Sequence, residues 1–372
     1  MTAVLAPVGL SLLHAPTLQT LPDAVEINVA RVRAATEAQI MAVVKADGYG
    51  HGAVTVARAA VAAGATWLGI TDAADARELR AAGLAVPILA WLNPSGVDAA
   101  QAAADRIDIA VGSVCELRQL AADAVAPVRV HLHMDTGMAR GGCPLDEWDE
   151  LLRVARSARG RVEVVGVMGH LPRADEANPA ANAPAVLRLR QARDAVLRAG
   201  FGPLTVHLAA TAGALTDPAA HFDLVRVGAG LVGIDPSGTV ALHGASRLTA
   251  SVVHSAAVRA GTAVGYGGTH VTREHTNLAV IGIGYADGIP RELTEGAGVE
   301  IGGSRHPIVG RVSMDQIVVD TGATAAPRGT VATVFGPEGG AVPSVQEWAR
   351  WAGTIPHTIV TGIGPRVQRS VV

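Results

Sequence analysis

AVVKADGYGHG, residues Ala42 to Gly52, holds Lys45, and no other lysine occurs in the 372-residue chain. A β-branched run leads into Lys45, and Gly48, Gly50 and Gly52 predict a tight turn after it. All the other basic residues are arginine. Arginine keeps its charge, whereas a lysine can be desolvated, lose its proton and form an imine. A genome biased toward arginine would leave such a lone lysine behind, so the count by itself decides nothing. The three tyrosines shift the balance, because Tyr49, Tyr266 and Tyr285 each stand beside glycine, in GYG, GYGG and GYADG. Four rare polar residues in tight-turn contexts point to a site.

Outward from Lys45, short β-branched runs alternate with Ala/Leu/Arg stretches of helical character. The runs are 40–45, 66–71, 87–91, 107–111, 128–134, 162–170, 204–208 and 222–227. Helical stretches are expected at 53–63, 73–82, 114–123, 144–157, 185–199 and 212–216. This beat predicts an α/β fold, a (β/α)8 TIM-like barrel over 24–244. A doubly wound sheet would share the beat. The barrel is preferred because the polar residues fall at strand C-terminal ends, where barrel chemistry collects. Lys45 ends the first run, Arg140 follows the fifth, His170 ends the sixth, Thr211 follows the seventh, and Arg226 to Gly230 close the eighth. Residues 1–23 read as an extension without strong pattern, and Ala24 to Val29 as a short strand.

From residue 245 to 372 the beat changes. Short strands with Gly/Pro turns are expected at 249–258, 276–283, 299–301, 307–309, 316–319 and 331–335, with one helix near 344–351, which predicts a mostly-β C-terminal domain. Tyr266, Tyr285 and Met314 lie in it. Aromatics are only 3%, so Ala, Val, Leu and Ile must build the cores. A net charge of -3 gives no basic footprint for nucleic acid, and no apolar run is long enough for a membrane. Val4 to Leu13 is apolar but broken by Pro7 and lacks a basic start, so it reads as no signal peptide. Cys115 and Cys143 make no disulfide framework. The expectation is a soluble cytoplasmic protein.

A lysine able to form an imine, a hydroxyl and glycine-bearing loops after strands seven and eight, and nearby arginines suit pyridoxal 5'-phosphate. Its aldehyde needs the lysine, its phosphate needs hydroxyls and backbone donors, and its ring nitrogen needs a partner that sets electron withdrawal. Two bases, Lys45 and a tyrosine, would allow proton removal on one face of a Cα and return on the other.

At this point the chain resembles the fold-type III pyridoxal phosphate enzymes, and within them the alanine racemase family. AVVKADGYGHG is close to that family's cofactor-lysine motif. DTGMAR at 135–140, HLPRADE at 170–176, GYADG at 284–288, VGRVSMDQ at 309–316 and TGIGPR near the C-terminus follow in the family's order. The resemblance implies that Lys45 holds the cofactor and is the base on one face, with Tyr266 on the other, reaching in from the partner of a head-to-tail homodimer. It implies phosphate contacts from Tyr49, Thr211 and the backbone of Gly228 and Ala229. Arg226 would face the ring nitrogen, and His170 would link it to Tyr266. Arg140 would touch the cofactor's phenolic oxygen and the substrate carboxylate, the Met314 N–H would meet that carboxylate from across the dimer, and Tyr285 would line the entrance. The implied substrate is a small amino acid, alanine first and serine second.

The chain also departs from that family. Where the family usually carries a carbamylated lysine two residues before DTG, this chain has His133, and with one lysine no carbamate can form there. Ala210-Thr211, Arg226-Val227-Gly228, Gly169-His170-Leu171 and Pro365 stand where other residues are usual. Three other readings compete: a pyridoxal phosphate-binding protein without racemase activity, a decarboxylase on the same fold, and a metal-dependent barrel hydrolase using His131, His133, His170 and His207. A carrier has no need of a second base such as Tyr266, and GYADG and MDQ suit a racemase better than a decarboxylase. The metal reading rests on the alternation that puts His131 and His133 on one strand face.

Overall fold

The structure is a computed structural model that describes residues 13–372; the apolar stretch from Val4 lies outside them as far as residue 12. The chain divides into two compact units, one spanning Pro22–Ala245 and the other joining the segment up to Leu21 with Ser246–Val372.

In the first unit eight parallel strands form a nearly closed ring. With β1 reserved for Thr17–Thr20, they are β2 (Gln39–Val43), β3 (Trp67–Ile70), β4 (Ile88–Ala90), β5 (Ile107–Val111), β6 (Val128–His133), β7 (Val162–Met168), β8 (Thr205–His207) and β9 (Leu224–Val227). The hydrogen-bonded order runs β8-β7-β6-β5-β4-β3-β2-β9. At the seam the Asp223 N–H donates to the Val206 carbonyl at 3.0 Å, the Asp223 carboxylate accepts the Val206 N–H at 2.8 Å, and the Arg226 N–H donates to the Ala209 carbonyl at 2.9 Å. All eight predicted runs are therefore strands of one ring. The runs read as near-continuous hydrophobics because parallel strands are covered on both faces. Inside the ring Met41, Val43, Trp67, Leu89, Met168 and Leu224 form one apolar cluster. The helices lie between strands as the beat requires. In Trp148–Ser157 the buried Trp148, Leu151, Leu152 and Ala155 recur at i, i+3, i+4 and i+7.

The expected strand at Ala24–Val29 is instead part of a helix, Pro22–Ala35. Pro22 suits a first helical position, and Val25, Val29 and Val32 are buried at helical spacing. A six-residue window is too short to show that period. A further helix, Ala99–Ala104, capped by the Asp98 carboxylate, was hidden by its alanine-rich composition. The supposed patternless extension contains β1, which pairs antiparallel with β10 (Ser246–Val258) and parallel with β18 (Gln368–Val371). Four residues with Leu18 and Thr20 inward give too little alternation to see.

The second unit is mostly β. Beyond β10 come β11 (Ala263–Val264), β12 (His270–Val271), β13 (Thr276–Ile281), β14 (Gly298–Ile301), β15 (Ser304–Pro307), β16 (Ile317–Gly322) and β17 (Val331–Phe335). The main order is β15-β14-β17-β10-β1-β18, with β13 joining β10 to β16. Strand β10 serves both parts because its register shifts near Leu248 and Val252 let it change partners along its length. Leu248, Val252, Ile281, Val319, Val334 and Phe335 form the core, with Trp348 donating its indole N–H to the Val334 carbonyl at 2.6 Å. Among the described residues no helix is long and apolar enough to cross a membrane.

Candidate active site

Lys45 stands two residues past the end of β2, half-buried. Burial first, then the charges of Arg140 and Arg226, depress its basicity. A fraction of neutral amine is thereby favoured, as imine chemistry requires. The chain then makes a left-handed turn, with φ of 52°, 52°, 60° and 57° at Ala46, Asp47, Gly48 and Tyr49. Three of these residues have a Cβ, so the turn stores about 1–2 kcal/mol at each. It is held by the Asp47 carboxylate, which accepts the Ala53 N–H at 2.8 Å, and by Gly52 N–H donating to the Asp47 carbonyl at 2.9 Å.

The turn drives the Tyr49 ring inward, where burial pushes its phenol up to about 12, so it stays a neutral donor. Its ring lies against Gly228, where an added Cβ would be 2.2 Å from the phenol oxygen. Only glycine leaves room for that approach. Thr211 Oγ1 accepts from Gly228 N–H at 3.3 Å and Gly230 N–H at 3.1 Å. A hydroxyl that accepts twice keeps its own proton as a donor for a ligand oxygen. Tyr49, Thr211, Gly228 and Ala229 thus border one cradle at the ends of β8 and β9.

Arg226, on β9, is buried and lowered by that burial to about 10, still cationic at neutral pH. Its Nη1 donates to His207 Nδ1 at 2.9 Å, and the two hydrogens of Nη2 are shared among the Gly169 carbonyl at 2.8 Å, the Leu208 carbonyl at 3.0 Å and His170 Nδ1 at 3.0 Å. Because a guanidinium only donates, both of these Nδ1 atoms are acceptors. His170 therefore carries its proton on Nε2, and burial, followed by the Arg226 charge, lowers it to about 3. The Thr136 hydroxyl fixes the His170 backbone, accepting its N–H at 3.1 Å and donating to its carbonyl at 2.6 Å.

The 135–142 loop is closed by Asp135 N–H to the Cys143 carbonyl at 2.9 Å and Cys143 N–H to the His133 carbonyl at 2.7 Å. The Asp135 carboxylate accepts three N–H groups from residues 137–139. Arg140 stands exposed in this loop, close enough for its charge to act on Lys45, His133 and His170. His133 is lowered to about 4 by burial and then by Arg226, so it is neutral at working pH. A neutral imidazole offers Arg140 no counter-charge.

The metal reading does not fit this arrangement. His131 engages Nδ1 with His207 at 2.9 Å and Nε2 with Asp108 at 3.3 Å, while His133 lies further along the strand. Among the described residues no three His, Cys, Asp or Glu side chains are placed to hold a metal ion.

In the second unit Tyr266 opens a tight turn, Tyr266–Gly268, between glycines of positive φ, and is 71% exposed. Tyr285 and Met314 come together. The Tyr285 N–H donates to the Ser313 carbonyl at 3.0 Å and the Ala286 N–H to the Met314 carbonyl at 2.9 Å. Arg366, of TGIGPR, ties these loops by pairing with Asp315 at 2.7 Å and Asp287 at 3.2 Å. The motifs GYADG, SMDQ and TGIGPR are thus one structural cluster.

A parallel barrel whose rim holds a desolvated lysine, a hydroxyl-and-amide cradle and a buried donor-only cation defines a barrel enzyme for an aldehyde-bearing, phosphorylated cofactor. Comparison with known proteins narrows this class. Residues 22–236 match the model of the alanine racemase N-terminal domain, and residues 245–371 that of the C-terminal domain. The alanine racemases of Salinispora tropica and Thermobifida fusca are each 43% identical to it, over 93% of this chain and 95% of theirs. The crystal structure of alanine racemase from Streptomyces lavendulae superposes with a TM-score of 0.91 at 37% identity, covering 96% of this chain and 97% of that one. The Bacillus anthracis enzyme, solved with bound L-Ala-P, gives 0.88 at 31% identity, covering 97% and 96%. The chain belongs to the alanine racemase family. It is a pyridoxal phosphate-dependent isomerase.

Proposed function

We propose that the protein interconverts L- and D-alanine, using Lys45 and Tyr266 as opposed bases, in a homodimer whose sites are shared between subunits. The observation that carries this is the single lysine, desolvated on the barrel rim beside a buried guanidinium. The donor set fits pyridoxal phosphate. Lys45 would hold it covalently, and Tyr49, Thr211, Gly228 and Ala229 would receive its phosphate. Arg226 would meet its ring nitrogen, and the glycine at 228 leaves the space such a cradle needs. When bound, the cofactor withdraws electrons from the substrate's Cα and makes its proton removable.

The residues then divide the work. Lys45, with lowered basicity, takes or returns a proton on one face. Tyr266 does so on the other. Arg226 is donor-only, so the ring nitrogen it meets stays unprotonated, which limits electron withdrawal and disfavours return of the proton to the wrong carbon. His170 accepts from Arg226 and presents its Nε2–H toward a partner tyrosine. Arg140 and, from the other subunit of the dimer, the Met314 N–H hold the substrate carboxylate, and Tyr285 narrows the entrance.

Exposure of Tyr266 at 71%, Met314 at 52% and Tyr285 at 38% in a single chain supports a partner's contribution. Two free cysteines, Cys115 and Cys143, suit a reducing cytoplasm. The test is complementation. Lys45→Ala and Tyr266→Phe variants should each be nearly inactive on alanine. Mixed and refolded together, they should regain about a quarter of the wild-type rate, since half the dimers then carry one intact composite site. No regain would place both bases in one chain. Single L-amino acids followed by chirality would identify the substrate, and racemisation of serine but not alanine would overturn the choice of alanine.

A further inference from the structure

The barrel interior holds a column of polar side chains beneath Arg226. From Arg226 it runs to His207 Nδ1 at 2.9 Å, from His207 Nε2 to His131 Nδ1 at 2.9 Å, and from His131 Nε2 to an Asp108 oxygen at 3.3 Å. Arg129 closes it, its Nε on one Asp108 oxygen at 2.9 Å and a terminal nitrogen on the other at 3.2 Å. Both imidazoles are fully buried, whereas the Arg129 side chain is 44% exposed. Packing is cut to fit the column. A Cβ at Gly166 would lie 2.2 Å from His131 Nδ1, and Trp67 meets the His131 ring edge-on with centroids 5.6 Å apart.

We propose that Asp108, acting through His131 and His207, is a positioning residue for Arg226. It locks the column into one hydrogen-bond direction, so that Arg226 meets only lone pairs on this side and turns its remaining donors toward the cofactor ring nitrogen. The ends dictate the direction. Arg226 can only donate, so His207 Nδ1 must accept. A neutral His207 then carries its proton on Nε2 and gives it to His131 Nδ1. His131 in turn donates from Nε2 to Asp108, a carboxylate that accepts from His131 and Arg129 together. A proton on either Nδ1 would set two donors face to face within the column. Burial and the nearby Arg226 charge keep His207 neutral, which agrees with this assignment. Asp108 is held below the usual carboxylate range, because the hydrogen bonds from His131 and Arg129 outweigh its burial.

The proposal rests on Arg226 serving the ring nitrogen, and the test separates the two. In cofactor-free protein, long-range proton–nitrogen correlation spectra should show His131 and His207 as neutral Nε2–H tautomers. A protonated Nδ1 on either would overturn the column whatever the enzyme's activity. Asp108→Asn can present an N–H as well as a carbonyl to His131 Nε2, so it should mix the His131 tautomers and, through His131, set the column against the direction Arg226 imposes on His207. In the loaded enzyme it should raise transamination relative to racemisation by roughly tenfold, the size of a lost charge-assisted hydrogen bond. Melting would show the barrel intact. Changed tautomers with an unchanged partition would reduce Asp108 to a structural role. If Asp108→Asn fails to fold, Arg129→Ala weakens the same end from the exposed mouth and should move both readouts in the same direction by a smaller factor. Movement of neither would also overturn the proposal.

Discussion

Gly228→Ala tests the cofactor cradle most directly, because the obstruction can be read from the structure. The new Cβ would sit 2.2 Å from the Tyr49 phenol oxygen, 2.8 Å from Cζ and 2.9 Å from Cε2. Real Cβ atoms do not approach so closely, so the ring or the backbone must shift. Tyr49 cannot swing freely, since it is 9% exposed and grows from a left-handed turn. Overpacking of this kind costs about 1–3 kcal/mol. Charged against the conformation that receives the phosphate, this weakens cofactor affinity roughly 5- to 150-fold, at about 1.4 kcal/mol per tenfold. The assay is equilibrium titration of cofactor-free protein with pyridoxal 5'-phosphate, followed by absorbance. Tyr49→Phe by itself removes a phosphate donor and should also weaken binding, but it takes away the 2.2 Å contact and leaves the one at 2.8 Å, so Gly228→Ala should cost less in the Tyr49→Phe background than in the wild-type protein. A single variant that binds cofactor as wild type does would refute the cradle as described.

Other outcomes follow from the same geometry. Lys45→Ala should remove the absorbance of lysine-bound cofactor and lower racemisation at least about 10³-fold, and a variant with normal turnover would remove Lys45 from the mechanism. Arg226→Glu puts a group that can share a proton where a donor-only cation stood. Transamination should rise relative to racemisation by about tenfold, with an unchanged ratio counting against contact with the ring nitrogen. Acid should destabilise the fold before ordinary carboxylates titrate. His133 and His170 are lowered from 6.5 to about 4 and about 3, so the folded state binds fewer protons than the unfolded chain. Their contribution is fully present above pH about 6.5 and declines as pH falls toward those lower values. A melting temperature that stays flat between about pH 7 and about pH 5 would contradict this, and His133→Asn should flatten part of the slope.

The sequence pattern exposed what recurs and concealed what occurs once. The eight strands were legible because each run is buried on both faces and is followed by a helix or turn. Lys45, Tyr49, Thr211 and Arg226 were legible because strand ends are where a barrel gathers its chemistry. The helix at Pro22–Ala35 was misread because six of its residues show no period, and β1 was missed because four residues show none either. Asp108 carried no signal, since one acid in IDIAV reads as a polar interruption of a strand. His131 and His133 did carry one. Alternation along HLH puts both on the same face, yet pattern alone cannot tell a metal ligand from a hydrogen-bonded column. Distances decide that, and they show both His131 nitrogens already engaged.

Arg226 explains more of the site than its own contacts suggest. A buried cation ordinarily needs a carboxylate, because desolvating it costs several kcal/mol. Here the four acceptors it meets are two carbonyls and two imidazoles, and the carboxylate of the column, Asp108, is two imidazoles away. The charge is therefore satisfied by lone pairs without being neutralised at close range. Its field is felt at Lys45, His133, His170 and His207, in every case lowering basicity. An aspartate in direct contact would have stabilised Arg226 while cancelling that field. Lys45 would then hold its proton more firmly, and the histidines would titrate nearer neutrality. Placing the carboxylate at the far end of a directional column keeps Arg226 oriented and leaves its charge in play. The absence of a lysine at 133 fits the same design, since a carbamate there would bring a negative charge among groups whose basicity burial, and then Arg226 and Arg140, lower.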